Sequence, residues 1–402
     1  MNPFPHISQE LGALLARSGL KPLQLGGREL LPVVQGGMGV GVSAQRLAGA
    51  VAADGGMGTI SSVDLRRLHP DLMEATEGCN AGEEAKRRIN EANLTALDRE
   101  IAGARERSQG RGLVALNVMR AVSEYATSVR RALAAGVDAV VVGAGLPLDL
   151  PDLAQDHPSA LLIPILSDAR GVQLIVKKWE RKKRLPDAIV IEHPRLAGGH
   201  LGAARIADLD DRRFDFDQVL PACKEFFRKA GLERDIPLIA AGGVRSFEDI
   251  QRLQALGADA VQLGTPFAVT TEGDADPEFK RVLAEARDED MVEFTSVAGL
   301  PARAVGTPWL KTYLRLEEKL QSVAQVKQRC TKAFDCLAQC GLRDGLKDWG
   351  QFCIDNQLAA ALRGDLKKGL FFRGSGTLPF GSQIRSVREL MERLLTPAPA
   401  LA

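Results

Sequence analysis

A parallel (β/α)8 barrel, carrying an inserted charged helix and a C-terminal cysteine-containing appendage, is the fold that this 402-residue sequence predicts. Three observations predict it. Eight short apolar runs recur between residues 31 and 263, and unbroken apolar runs mark strands buried on both faces of a parallel sheet. Helical patterns join most of these runs, and strands joined through helices must be parallel. Several runs end in glycine, at Gly36-Gly37, Gly143, Gly242-Gly243 and Gly264, so their carboxyl ends converge on one face built of small residues. In such barrels that face carries the active site.

Taken in order, residues 1–30 read as a short helix and an approach segment. LPVVQ at 31–35 is the first strand, GGMGVG its turn, 43–53 its helix and 57–61 the second strand. Residues 63–110 break the rhythm with a loop at His69-Pro70 and the charged segment EEAKRRINEANLTALDREIAGARERS, read as a long exposed helix inserted above the barrel. The third strand is 113–119, followed by a helix over 123–135 that Gly136 closes; 139–143 and 161–166 are the fourth and fifth. The helix over 170–184 carries KKWERKKR, a solvated face, and 188–192 with the helix 218–230 make the sixth unit. The stretch IPLIAAGGVRSFEDIQRLQALGADAVQLGTPF supplies the last two strands, 237–241 and 259–263. Between them Ser246 caps a helix whose apolar positions, Phe247, Ile250, Leu253 and Leu256, fall at helical spacing. Each of these two strands ends in small residues, Gly242-Gly243 and Gly264-Thr265, where a barrel often holds a phosphate.

The barrel is thus placed within 1–310 and the appendage at 311–402. Residues 291–310, with Pro301, Gly306 and Pro308, read as irregular; 313–328 reads as helix. The tail closes with two apolar elements, GLFF and VRELMERLL.

Composition excludes several function classes. The 52 basic and 51 acidic side chains balance, which argues against a nucleic-acid binder. No apolar run approaches the ~20 residues of a membrane span, and the first residues lack the pattern of a signal peptide. Six cysteines in a chain this long are too few for a disulfide scaffold, so a reduced, cytoplasmic protein is expected.

Three constellations bear on chemistry. Gly39-x-Gly41-x-x-Ala44, with Asp64 after the next strand, copies a dinucleotide fingerprint. Against a separate dinucleotide domain, the glycine string starts earlier, at Gly36, and later strands end in glycine too. The second constellation is AGGHLG at 197–202, after the sixth strand. Its glycines let backbone approach a ligand while the His200 imidazole enters the same space, and imidazole suits proton transfer near neutral pH. His193 fits an ordinary loop beside Pro194; His6, His69 and His157, each next to proline, read as structural. The third is Cys330-x5-Cys336-x3-Cys340-x12-Cys353. Four cysteines are enough to ligate zinc or an iron–sulfur cluster, but no CxxC pair is present, and Cys336 and Cys340 fit one face of a helix. No metal is expected.

QGGMGVG, ALNVM, GAGLPLDLPDL, AGGHLG, AAGGV and QLGTPF occur in that order. Together they resemble the nitronate monooxygenase (2-nitropropane dioxygenase-like) family of FMN-binding barrels, over roughly residues 30–310. The resemblance implies an FMN-dependent oxidoreductase acting on a nitronate or nitroalkane, with molecular oxygen as the expected partner; the sequence leaves open whether oxygen or an organic acceptor reoxidises the flavin. It implies that Gly37, Met38 and Gly39 line the flavin ring edge and that Asn117 bonds the ring or ribityl region. Gly199 would approach the cofactor; Gly242, Gly243, Gln262, Gly264 and Thr265 would hold its phosphate. His200 matches the catalytic histidine. Where relatives carry a polar residue after the sixth strand, Glu192 takes that place, followed here by His193. His200 would steer the charge of a nitronate, or remove the α-proton of a nitroalkane. Enoyl thioester and quinone reductases that use NAD(P)H and flavin share these motifs and form the first alternative. A non-catalytic flavin-binding scaffold is the second. The oligomeric state is left open.

Overall fold

A computed structural model of the chain describes residues 3–80, 82–232, 236–326 and 336–398. Eight parallel strands close a barrel in sequence order: Val33–Gln35, Met57–Ser61, Leu113–Met119, Ala139–Gly143, Leu161–Leu166, Ile189–Glu192, Leu238–Ala241 and Ala260–Leu263. Closure is made where the last strand meets the first, with Gln262 opposite Val34. The expected (β/α)8 architecture is therefore present, and the predicted strands agree with the observed ones to within two residues at each end. Closure also removes the dinucleotide-domain alternative. Asp64 is not free for a ribose: it is buried against Arg66 at 2.9 Å and against Arg67, and Arg67 reaches Asp355 of the tail at 2.6 Å. Burial alone would raise the Asp64 carboxyl, but Arg67 and Arg66 hold it below the usual carboxylate range.

One end of the barrel is plugged. The hairpin Leu23–Leu25/Arg28–Leu30 sends Leu23, Leu25 and Leu30 into the same buried cluster as Val34, Met57, Ala115, Val141, Ile163, Val190 and Ile239. The filled amino end leaves the carboxyl end as the place for a ligand.

The long charged helix is present as Glu83–Ser108. It lies along the barrel's flank rather than above it, packed against the helix Gln45–Asp54. Ile89, Ala92, Ala96, Leu97, Ile101 and Ala104 form its buried stripe, and its charges take the other faces. Two glycines allow the close approach: a Cβ on Gly49 would meet Arg107, and one on Gly103 would collide with Gln45.

Residues 291–310 are not irregular. Met291–Thr295 and Pro301–Val305 form an antiparallel hairpin, and the second strand pairs in turn with Gly199–His200. Pro301 is what conceals this strand in the sequence, yet proline is tolerated as the first residue of a strand. Helix Pro308–Ser322 follows, starting earlier than expected because Thr307 caps it and Pro308 occupies its first turn.

The tail packs on the barrel at two places. Helix Val387–Leu395 lies against the helices Gln9–Ser18, Gln45–Asp54 and Phe247–Ala255, with a Ser386/Glu389 capping box and an Arg388–Asp54 ion pair. Leu370 and Phe371 are wholly buried, and Phe372 bridges to Ala304 of the hairpin, bringing 370–378 to the barrel's carboxyl end. Cys330 lies outside the described residues. Cys336 and Cys340 do not share a helix: the bridge Val122–Leu337 draws this stretch across the barrel, and Cys340 only precedes the short helix Gly341–Asp344. Among the described residues no group of three or more His, Cys, Asp or Glu is placed to hold a metal ion, and no helix is long and apolar enough to cross a membrane.

Candidate active site

A cavity of about 610 Å³ opens at the carboxyl end of the barrel. Its wall includes every residue that the family resemblance assigns to the site: Gly37, Met38, Gly39, Asn117, Glu192, Gly199, His200, Gly242, Gly243, Gln262, Gly264 and Thr265. Strand alternation sorts Glu192 from its neighbour. Glu192 lines the cavity, whereas His193 is buried outside it, edge-on to Phe216 and 3.3 Å from Asp215.

One end of the cavity is built to receive an anion. The backbone N–H groups of Gly242, Gly243, Gly264 and Thr265 donate to no acceptor among the described residues. Gly242 and Gly243 sit at φ +111° and +72°, a region that favours glycine and turns successive N–H groups the same way. A Cβ on Gly264 would meet only the Met38 sulfur, 3.6 Å away, so the space beside it is open. The tail closes this end: Gly374 N–H donates to Thr265 Oγ1 at 3.0 Å, and Ser375 N–H to Leu196 O at 3.2 Å. Arg373, 2% exposed, donates to Leu283 O and to its neighbour Gly374 O but has no carboxylate within ion-pair distance among the described residues. Burial pushes its guanidinium below the usual range. Asp288 and Asp290 act on this buried cation only from beyond ion-pair distance, so the position fits a ligand that brings negative charge.

The middle of the cavity is lined by flat, close-packed backbone. A Cβ on Gly37 would collide with Asn117, so only glycine lets the first-strand turn lie against that side chain. Asn117 is itself held, donating to Val141 O at 3.2 Å. Gln35 bridges the first two strands beneath, accepting from Thr59 N–H at 2.8 Å.

His200 stands at the edge of this floor. Its Nε2 is 3.0 Å from Ser296 Oγ, and its ring faces Phe372 with centroids 5.5 Å apart. Burial pushes the imidazole down to about 4, so at neutral pH it is uncharged. The loop that carries it is clamped by Arg303, 3% exposed, which donates to the carbonyls of Pro194 and Ala197 and pairs with Glu293. Arg303→Met keeps most of the side-chain volume but orphans those carbonyls. It is expected to lower stability by about 3 kcal/mol in urea unfolding and to reduce turnover in step.

The family model for nitronate monooxygenases matches residues 29–396. The chain belongs to the nitronate monooxygenase family. A probable nitronate monooxygenase of Bacillus subtilis is 25% identical over 289 residues, 70% of this chain and 78% of its own length. Among solved structures, FabK from Thermotoga maritima aligns with a TM-score of 0.61 at 21% identity, over 96% of this chain and 94% of that one. A nitroalkane oxidase from Streptomyces ansochromogenes gives 0.60 at 21% identity, over 94% and 96%. These likenesses to solved structures carry the fold.

Within this family member, Glu192 is the cavity's unusual carboxyl. No partner bonds it among the described residues, and burial pushes it up to about 7 from 4.5. A carboxyl raised in the folded state keeps its full stability below the unfolded value and loses it as pH rises through the folded one. Glu192→Gln in cofactor-stripped protein is therefore expected to match the parent below about pH 4.5 and to exceed it above about pH 7. The gain is on the order of 2 kcal/mol, discounted from the full shift because the carboxyl is partly open to the cavity. Urea unfolding at both pH values measures it.

Ser296, Arg303, Phe372 and Arg373 were not legible as site residues. They enter through the hairpin and the tail, far along the chain from the glycine turns they serve.

Proposed function

We propose that this protein binds FMN and oxidises alkyl nitronates, with dioxygen as the final electron acceptor. What carries the reading is an uncharged, half-buried His200 lining a cavity whose far end offers unpaired N–H groups and an arginine without an ion pair. The phosphate would take the N–H groups of Gly242, Gly243, Gly264 and Thr265, with Arg373 and Arg245, which lines the cavity beside Gly376 of the tail, supplying charge. This is the barrel's usual phosphate position, and it needs no P-loop lysine. Gly37, Met38 and Gly39 give the ring a close backbone floor, with Asn117 as a polar contact; Gln262, expected at the phosphate, has its amide beside Gly36 and is reassigned here to the ring. Gly199, at φ +74°, brings the His200 strand near it. Glu192, when protonated, donates to a carbonyl or ring nitrogen. Bound there, FMN would supply the electron acceptor for the substrate, with oxygen as the final oxidant.

The protein's own part is to hold the substrate beside that ring and to keep water out. A nitronate has already lost its α-proton, so no strong base is required of the cavity. His200, uncharged, contacts the nitro oxygens, where the negative charge resides. A reducing, cytoplasmic setting belongs to the same reading, since six cysteines in 402 residues are too few for a disulfide scaffold.

Heat-released cofactor identified by chromatography, together with oxygen uptake on ethylnitronate, tests the proposal. FMN and nitronate-dependent uptake are expected. FAD in the supernatant, or uptake that requires NADH and ignores nitronate, overturns it.

A further inference from the structure

We propose that His200 rests with its proton on Nδ1 and with Nε2 accepting from Ser296, so that it meets the substrate as a hydrogen-bond donor and not as a base. The substrate side of this rests on the nitronate reading above. The proton's position rests on hydrogen-bond accounting alone.

A neutral imidazole has one N–H and one lone pair, and its partners decide which nitrogen carries which. Nε2 lies 3.0 Å from Ser296 Oγ. Ser296 is wholly buried, and its oxygen already accepts the N–H of Ala298 at 3.2 Å. Among the described residues, the only acceptor within reach of the serine hydroxyl hydrogen is His200 Nε2. If the ring proton sat on Nε2 and pointed at Ser296, the serine hydrogen would be buried with nowhere to go. An unsatisfied buried donor of this kind shifts the balance by roughly 5–150-fold towards the Nδ1–H form. The backbone holds both partners in place. Ala302 pairs with His200 across the sheet, Leu201 N–H donates to Pro301 O at 2.8 Å, and Ser296 N–H donates to Leu300 O at 2.9 Å.

Nδ1 is then an N–H. The hydrogen bond that the described residues make to this ring is at Nε2, and the ring lines the cavity, so the Nδ1 hydrogen is available to a ligand. A nitronate presents two oxygens that share a negative charge, and an N–H aimed at them is complementary. A neutral nitroalkane needs a lone pair at its α-hydrogen, and the ring's one lone pair is committed to Ser296. Ser296 is thus a positioning residue, and the site is selective for nitronates that are already formed. The class of reaction that must precede this one is the deprotonation of a nitroalkane, in solution or by another catalyst.

The test is a long-range ¹H–¹⁵N correlation on the ¹⁵N-labelled holoenzyme, with His200→Gln assigning one of the five histidines. The expected signal is a protonated Nδ1 and an unprotonated Nε2. A proton on Nε2 overturns the proposal, whatever the enzyme turns over. Ser296→Ala provides the second arm, since it frees Nε2 and lets the other tautomer populate. The Nε2–H signal should grow, and kcat/KM for ethylnitronate should fall about 5-fold or more while that for nitroethane does not fall with it. An unchanged tautomer with both substrates slowed equally would mark Ser296 as a packing residue and sink the proposal. Protonated Nδ1 in an enzyme that ignores ethylnitronate would leave the tautomer standing and defeat the nitronate reading alone.

Discussion

Gly243→Asp is expected to give a folded, colourless protein. Three effects act together at this position. Gly243 sits at φ +72°, and an L side chain there costs ~1–2 kcal/mol. A Cβ would stand 2.9 Å from Leu196 Cδ1, which must move. The new carboxylate would face the phosphate that the neighbouring N–H groups are arranged to receive, and a like-charge approach in a closed site costs several kcal/mol. Affinity for FMN should fall by at least ~10³-fold, since each 1.4 kcal/mol is tenfold. Gly243→Ala separates the terms: it carries the strain and the contact without the charge, and should retain part of the flavin. Absorbance near the flavin bands in the purified variants reads the result directly. A fully yellow Gly243→Asp protein would mean that the phosphate lies elsewhere.

His200→Ala has the second-largest expected effect, and it differs in kind. Glycines precede and follow this part of the loop, and the ring packs mainly on Phe372, so the variant should fold and keep its flavin. What is lost is one hydrogen bond to a charged group, about 1.5–3 kcal/mol, or roughly 10–150-fold in kcat/KM for ethylnitronate. His200→Asn should recover part of that loss, because its amide still carries N–H donors. Turnover unchanged in both variants would remove His200 from the substrate's contacts.

The barrel was legible because buried parallel strands write themselves as apolar runs, and four of the eight end in glycine at the face that must admit a ligand. LPVVQ, AVVVG and LIAA are unambiguous for that reason, and the glycine turns after them mark the cavity floor. The twelve residues named from sequence line one cavity because they lie at the carboxyl ends of strands or in the loops that follow. What stayed hidden came from elements whose signal is non-local. The hairpin Met291–Val305 alternates only weakly, opens its second strand with proline, and has meaning only through its pairing with Gly199–His200. Ser296 and Arg303 are therefore invisible as site residues until that pairing is seen. The tail is similar: GLFF reads as core, and two of its residues are, but the next turn of chain carries Phe372 and Arg373 into the cavity wall. The helix Glu83–Ser108 shows the reverse error. Its charge density suggested full exposure, while half of the apolar residues in its buried stripe are alanines, which make a weak signal at helical spacing.

The central claim is that electrons pass from a nitronate to a flavin held in this cavity, and anaerobic mixing tests it most directly. Oxygen-free enzyme would be mixed with ethylnitronate and, separately, with NADH, and the flavin absorbance followed in time. The account predicts prompt bleaching by the nitronate, little or none by NADH, and recovery of the colour when air is admitted. Bleaching by NADH alone, with the nitronate inert, would contradict it and make the protein a pyridine-nucleotide-dependent reductase.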